Sequence, residues 1–195
     1  MAVVFNLNWL LLILMIHAMN KKETQKTLDE FKEFVIAKSK ANLASMNKDS
    51  SKKLSNSIDG VAKVMPNSFA LDFTMEKYGL YQDKGVSGVK KKYNTEYSYT
   101  TKMPPPSKLD KWIVRRGIAP RTSSGQFKTR KVQDPKKLAQ SIQWIIARGI
   151  FINGIKPSLF FTKPFEQAFK ELPNEVAEAY GLDVENFMEF SLKDI

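Results

Sequence analysis

Four carboxylates, Asp72, Glu76, Asp83 and Glu96, fall within one short stretch of this chain. Two carboxylates held at the right separation can share acid–base work, one donating a proton while the other accepts it. Nothing in their spacing fixes such a pair. The supporting residues are also missing. His17 is the single histidine, cysteine is absent, and neither a P-loop nor an HExxH pattern occurs. A thiolate nucleophile, a disulfide framework and a Cys-ligated metal are therefore excluded, and a lone histidine disfavours both a His-rich metal site and a Ser-His-Asp arrangement with a downstream histidine. His17 beside an apolar run reads as a packed or surface side chain. No catalytic residue, metal or cofactor is expected. A hydrolase or transferase would instead have to show a concave pocket with perturbed carboxylates.

Asp83 has a different reading. It lies in Tyr78-Gly79-Leu80-Tyr81-Gln82-Asp83-Lys84-Gly85-Val86-Ser87-Gly88, where Gly79, Gly85 and Gly88 space out aromatic residues and an Asp-Lys pair. Such glycine spacing points to a backbone that needs positive φ or close approach at several places. The spacing is not GxGxxG, so a phosphate cradle is disfavoured. Asp83 is expected to hold the glycine turn by accepting backbone hydrogen bonds. The segment is fed by Phe69-Ala70-Leu71-Asp72-Phe73-Thr74-Met75, whose large apolar residues recur with the period of a half-buried strand.

This strand followed by YGLYQDKGVSG resembles the neck, or tail-completion, proteins of tailed bacteriophages, in which a strand leads into a Y-G-x-[FY]-x-D-x-G-x-x-G segment. Gly154-Ile155-Lys156-Pro157-Ser158-Leu159-Phe160-Phe161-Thr162-Lys163-Pro164-Phe165 is similar to a second hallmark of that family. Lys102-Met103-Pro104-Pro105 between them resembles its K-M-P-P step. The three occur in the family's order, over roughly residue 21 to the C-terminus. The resemblance implies a structural virion protein of the head–tail connector, with copies forming a ring between portal and tail. It implies a hexamer or dodecamer touching other connector, portal or tail proteins, with double-stranded DNA passing through the lumen. Tyr78, Gly79, Asp83, Gly85, Gly88, Pro157 and Pro164 then shape the motifs and carry no chemistry.

At 195 residues with 43% hydrophobic and 11% aromatic content, the chain is long and apolar enough to fold around a core. The formal charge of +11 favours nucleic acid, acidic protein surfaces or anionic membrane as partners. A basic DNA-binding accessory protein is the alternative function. It predicts affinity that falls steeply with salt. Trp9 to Ile16 is wholly apolar, yet much shorter than the ~20 residues of a spanning helix, so no membrane span is expected. No Lys or Arg precedes it, as a signal peptide would require. Two readings remain: an arm docking on a neighbouring subunit, which is favoured, or translation beginning at Met19.

The elements expected around the motifs form an α+β fold: a small, mostly antiparallel sheet covered by a long N-terminal helix and C-terminal helices. Residues 1–20 make the arm and 21–195 a single domain. Lys21 to Met46 reads as an amphipathic helix with Leu28, Phe31, Val35, Leu43 and Met46 near one stripe. Asn47 to Asn56 reads as a loop or short strand, and Glu96 to Thr101 as a strand pairing with Phe69–Met75. A short helix ending at Gly117 should follow the proline run at 104–106. Asp134-Pro135 should start a helix burying Leu138, Ile142, Ile145 and Ile146. Pro164 should start another, Pro173 interrupt or restart it, and Asp183 cap a last short turn. Residues 118–133 are expected to be a projecting basic hairpin or loop that touches a partner, with a flexible insertion of no role as the equal alternative. Trp9, Leu10 and Leu11 of the arm, with Arg121, Lys128 and Arg130 of the loop, are the expected assembly contacts.

Overall fold

The computed structural model describes residues 21–48, 50–65, 68–118 and 135–193. Its elements are α1 (Lys22–Ser45), α2 (Lys53–Ser57), β1 (Asp59–Met65), β2 (Ser68–Thr74), α3 (Tyr78–Lys84), a 3-10 turn (Pro106–Leu109), α4 (Asp110–Arg115), α5 (Pro135–Asn153), α6 (Thr162–Phe169) and α7 (Leu172–Lys193). This is the expected α+β class. The chain divides into two compact units. One comprises the residues up to 41 with 58–74 and 163 onward; the other comprises 42–57 and 75–162.

In the first unit β1 and β2 form an antiparallel pair in which Gly60 faces Phe73, Ala62 faces Leu71 and Met65 faces Ser68. The expected strand forms, with Leu71 and Phe73 half-buried but Phe69 50% exposed, and its partner is β1 and not residues 96–101. Gly60 has a packing reason. A methyl group there would lie 2.9 Å from Lys32 Cγ and 3.1 Å from the Phe73 ring. That clearance seats Phe73 among Phe31 and Phe165, with edge-on ring centroids 6.5 and 6.0 Å away. Phe165 in turn meets Phe31 edge-on at 5.7 Å and stacks on Phe169 at 5.5 Å. Such arrangements suit aromatic quadrupoles and bury large apolar area.

The 3.6-residue period of α1 puts Leu28, Phe31 and Val35 in the core, while Met46 of the expected stripe stays exposed, as does the neighbouring Phe34. Gln25 covers backbone groups of β1: its amide donates to Ala62 O (3.1 Å) and its carbonyl accepts from Val64 N (3.2 Å). An open strand edge is a template for unwanted pairing, and side-chain cover blunts it.

The first turn of α1 is held by Asp183, which is buried in α7. Its carboxylate accepts from Glu23 N (2.9 Å), Thr24 N (2.9 Å) and Thr24 Oγ1 (2.7 Å). These amides are among the orphan donors of a helix start, and a carboxylate also meets the positive end of the helix dipole. Asp183 therefore does not cap a separate C-terminal turn. Helix α7 runs unbroken through Gly181 and Asp183. Pro173 is the second residue of that helix, where its missing N–H costs nothing, so it restarts the helix after α6.

The second unit holds Leu43, Leu54, Val86, Ile113, Ala147 and Phe160 in its core. The polar segment after α1 contains the helix α2, not a strand. The proline run leads through the 3-10 turn into α4, and Gly117 leaves it at φ +60. Helix α5 starts at Pro135 as expected, but Ile145 is 64% exposed, Ile142 and Ile146 are only half-buried, and Ala147, off that stripe, is fully buried. The side chain of Leu138 lies outside the described residues.

Candidate functional site

The site built by the two sequence motifs lies in the second unit. Tyr78 to Lys84 form α3, a helix that the glycine spacing concealed. Gly79 is a helical residue needed for contact: a methyl group there would lie 2.7 Å from Met75 Sδ and 2.9 Å from Leu54 Cδ1. Gly85 ends the helix at φ +76, a region where a side chain is strained. A methyl group on it would lie 2.6 Å from Ile155 O and 2.7 Å from the Pro157 ring. At Gly88 the added carbon would overlap backbone of residues 152–154.

These glycines let residues 85–88 run between two other stretches of chain. On one side Val86 N donates to Ile155 O (2.9 Å) and Ile155 N to Val86 O (2.8 Å), an antiparallel bridge. On the other, Ser87 N donates to Tyr97 O and Tyr99 N to Ser87 O, both at 2.8 Å, in a parallel bridge. Residues 96–101 thus pair with the glycine segment and do not extend the sheet of β1 and β2. Ser87 Oγ accepts from Tyr93 N (3.0 Å) and donates to Tyr93 O (3.1 Å), closing the intervening loop.

Asp83 joins the first motif to the second. It is 3% exposed, and one carboxylate oxygen accepts from Phe161 N (2.8 Å) and Thr162 N (3.3 Å). The other accepts from the Thr162 hydroxyl. The Asp83 carbonyl accepts from Ser158 N and Leu159 N, each at 3.0 Å. Gln82 O receives the Ser158 hydroxyl at 2.5 Å. Leu159 sits at φ +51, a costly conformation for a branched side chain that this set of bonds holds in place. Asp83 accepts backbone hydrogen bonds as expected, but from residues 161 and 162 and not from the glycine turn. Pro164 is buried in the first turn of α6, where no intrahelical donor is lost.

Beside this junction lies a groove of about 640 Å³ whose walls include Tyr78, Tyr81, Tyr97 and Tyr99. The Tyr81 and Tyr97 rings meet edge-on, with centroids 4.7 Å apart. Lys84 Nζ binds Glu96 Oε1 at 3.1 Å on the exposed rim. The ammonium holds the Glu96 carboxyl below its usual range, and the carboxylate raises Lys84. Burial pushes the Tyr99 phenol up, and desolvation followed by Glu96 does the same for Tyr97.

The carboxylates singled out in the sequence are therefore engaged separately. Asp83 is saturated by donors, Glu96 is paired with Lys84, and Glu76 is paired with Lys53 at 2.9 Å. Asp72 lies on β2, opposite Val61. Among the described residues no group of three or more His, Cys, Asp or Glu side chains is placed to hold a metal ion. None of the described helices is long and apolar enough to cross a membrane. What the geometry supplies is a rigid, interlocked junction with an aromatic groove.

Of the residues assigned to shaping the motifs, Asp83, Gly85, Gly88 and Pro157 come together here, while Gly79 packs on Leu54 and Met75. The K-M-P-P step precedes the 3-10 turn. Trp9, Leu10, Leu11, Arg121, Lys128 and Arg130 lie outside the described residues. Sequence reasoning missed Thr162 as the partner of Asp83, and Asp183 and Gln25 as structural residues. Pro164 announced the helix start, but nothing local pointed from Thr162 to Asp83. No family model, curated protein or solved structure matches the chain.

Proposed function

We propose that this chain is a structural virion protein of a tailed phage, a ring-forming component of the head–tail connector that joins portal to tail and lets DNA pass. The observation that carries the reading is the Asp83 junction. The two stretches that resemble the neck family are bound to one another through Asp83, whose carboxylate takes hydrogen bonds from Phe161 and Thr162, 78 and 79 residues further along the chain. Their role is architectural: the carboxylate most suggestive of chemistry is spent entirely on backbone and hydroxyl donors.

A cyclic ring needs two unlike faces on each subunit, one meeting the other on the next copy. The arm residues Trp9, Leu10 and Leu11 and the loop residues Arg121, Lys128 and Arg130 are the proposed contacts with neighbouring copies and with portal or tail proteins. The charge of +11 suits weak, non-specific attraction to DNA in a lumen. Catalysis and a bound cofactor form no part of the proposal, and the protein is placed in the virion neck after synthesis in the host cytoplasm.

Immunogold labelling of purified particles tests the location. Label at the junction of head and tail is expected, and particles free of label would overturn the reading. In that case the positive charge would favour the DNA-binding alternative.

A further inference from the structure

The first unit carries an apolar groove of about 670 Å³ that the connector reading leaves without a role. Its walls include Val64, Met65, Phe69, Phe169, Leu172 and Tyr180. Phe69 and Phe169 are each 50% exposed, and Met65 is 42% exposed. An exposed concavity this apolar promotes association unless something covers it.

Where the chain meets this groove identifies the cover. Lys21 lies on the groove's rim, donating from Nζ to Met65 O at 3.0 Å and standing over the Tyr180 ring at 5.7 Å. The residues before it carry the chain's one wholly apolar run, Trp9 to Ile16, and no Lys, Arg, Asp or Glu occurs before Asn20. Residues 17–20 span at most about 13–14 Å when extended, at 3.3–3.6 Å per residue. That tether keeps the run within reach of the groove. It also gives an effective concentration on the order of millimolar, well above that of a second copy in dilute solution.

We propose that in the free subunit this groove is the seat of the chain's own Trp9–Ile16 segment. The contact shields both apolar surfaces from water, and it holds whether or not the chain goes on to form a ring.

The test uses the full chain with Trp112→Phe and Trp144→Phe, which leaves Trp9 as its only tryptophan. Trp9 emission is expected to be blue-shifted and several-fold less quenched by acrylamide than a free indole, with no change on dilution. Ala177 is an exposed residue of the groove wall, and Ala177→Glu should red-shift that emission while far-UV circular dichroism is unchanged. Conversely, Leu11→Asp with Leu12→Asp leaves the described fold untouched and should increase binding of an anilinonaphthalene sulfonate dye. A water-exposed Trp9 in the parent overturns the proposal, as does emission unaffected by Ala177→Glu. Shielding that disappears on dilution also overturns it, because the occupant would then be another copy.

Discussion

The Asp83 carboxylate and the Thr162 hydroxyl, 79 residues apart in sequence, share a hydrogen bond in a site that is almost closed to water. The amides of Phe161 and Thr162 converge on the same carboxylate, at the first turn of α6. Charge-assisted bonds of this kind are roughly twice as strong as neutral ones, and orphaning the buried amides is costly.

Replacing Asp83 with Ala is therefore expected to destabilise the protein by about 2–3 kcal/mol. Thr162→Val removes one donor and should cost about 1 kcal/mol. Urea unfolding of both single variants and the double variant should show a coupling of roughly 1 kcal/mol, as residues in one network do. Strict additivity would mean that the two do not act together.

Gly85 and Gly117 separate two costs that are often confounded. Both have positive φ, yet a side chain at Gly117 meets nothing within 4 Å, whereas one at Gly85 meets Ile155 O and Pro157. Gly117→Ala should cost only the conformational penalty of about 1 kcal/mol. Gly85→Ala should cost roughly 2–3 kcal/mol, and Gly85→Val should abolish folding or assembly. Equal shifts in urea midpoint for the two alanine variants would refute the packing argument.

How much of this was legible locally follows from the physics of each element. The α1 stripe through Leu28, Phe31 and Val35 and the alternation of β2 are periodic, and period is readable within a short window. The proline run before α4 and Asp134-Pro135 before α5 carry their own start signals. Helix α3 is only seven residues long and contains Gly79, so neither propensity nor period announced it. In β1 the inward residues are Gly60, Ala62 and Val64, too small to give a strong alternation. The pairing of Ser87 with Tyr97 and Tyr99, and the bonds to Asp83 and Asp183, join distant residues by chemistry that every Asp or Ser offers. Only the fold selects among such partners.

Asp183 gives the next expectation. Asp183→Ala should free the amides of Glu23 and Thr24 and destabilise the start of α1, at a cost of about 1–2 kcal/mol. Hydrogen exchange should accelerate at those two amides while the Asp83 junction stays protected. Unchanged exchange would remove Asp183 from this role.

The tyrosine groove predicts a dependence on alkaline pH. Tyr97 and Tyr99 are both raised above the ordinary value of 10.0, so the unfolded chain releases their protons first. Their contribution to stability is complete below pH 10.0 and is lost as pH rises through the raised values. Phenolate absorbance should show a late-titrating class, and Tyr99→Phe should flatten the fall of the urea midpoint at alkaline pH. A single class titrating at the ordinary value would contradict the burial of these phenols.

The central claim concerns a part of a particle, and counting tests it most directly. Quantitative mass spectrometry of purified virions from the phage or prophage encoding this chain should find it at a ring-sized copy number, about six or twelve per particle, as the resemblance to the neck family together with cyclic closure implies. Absence of the chain from the particle would contradict the connector account.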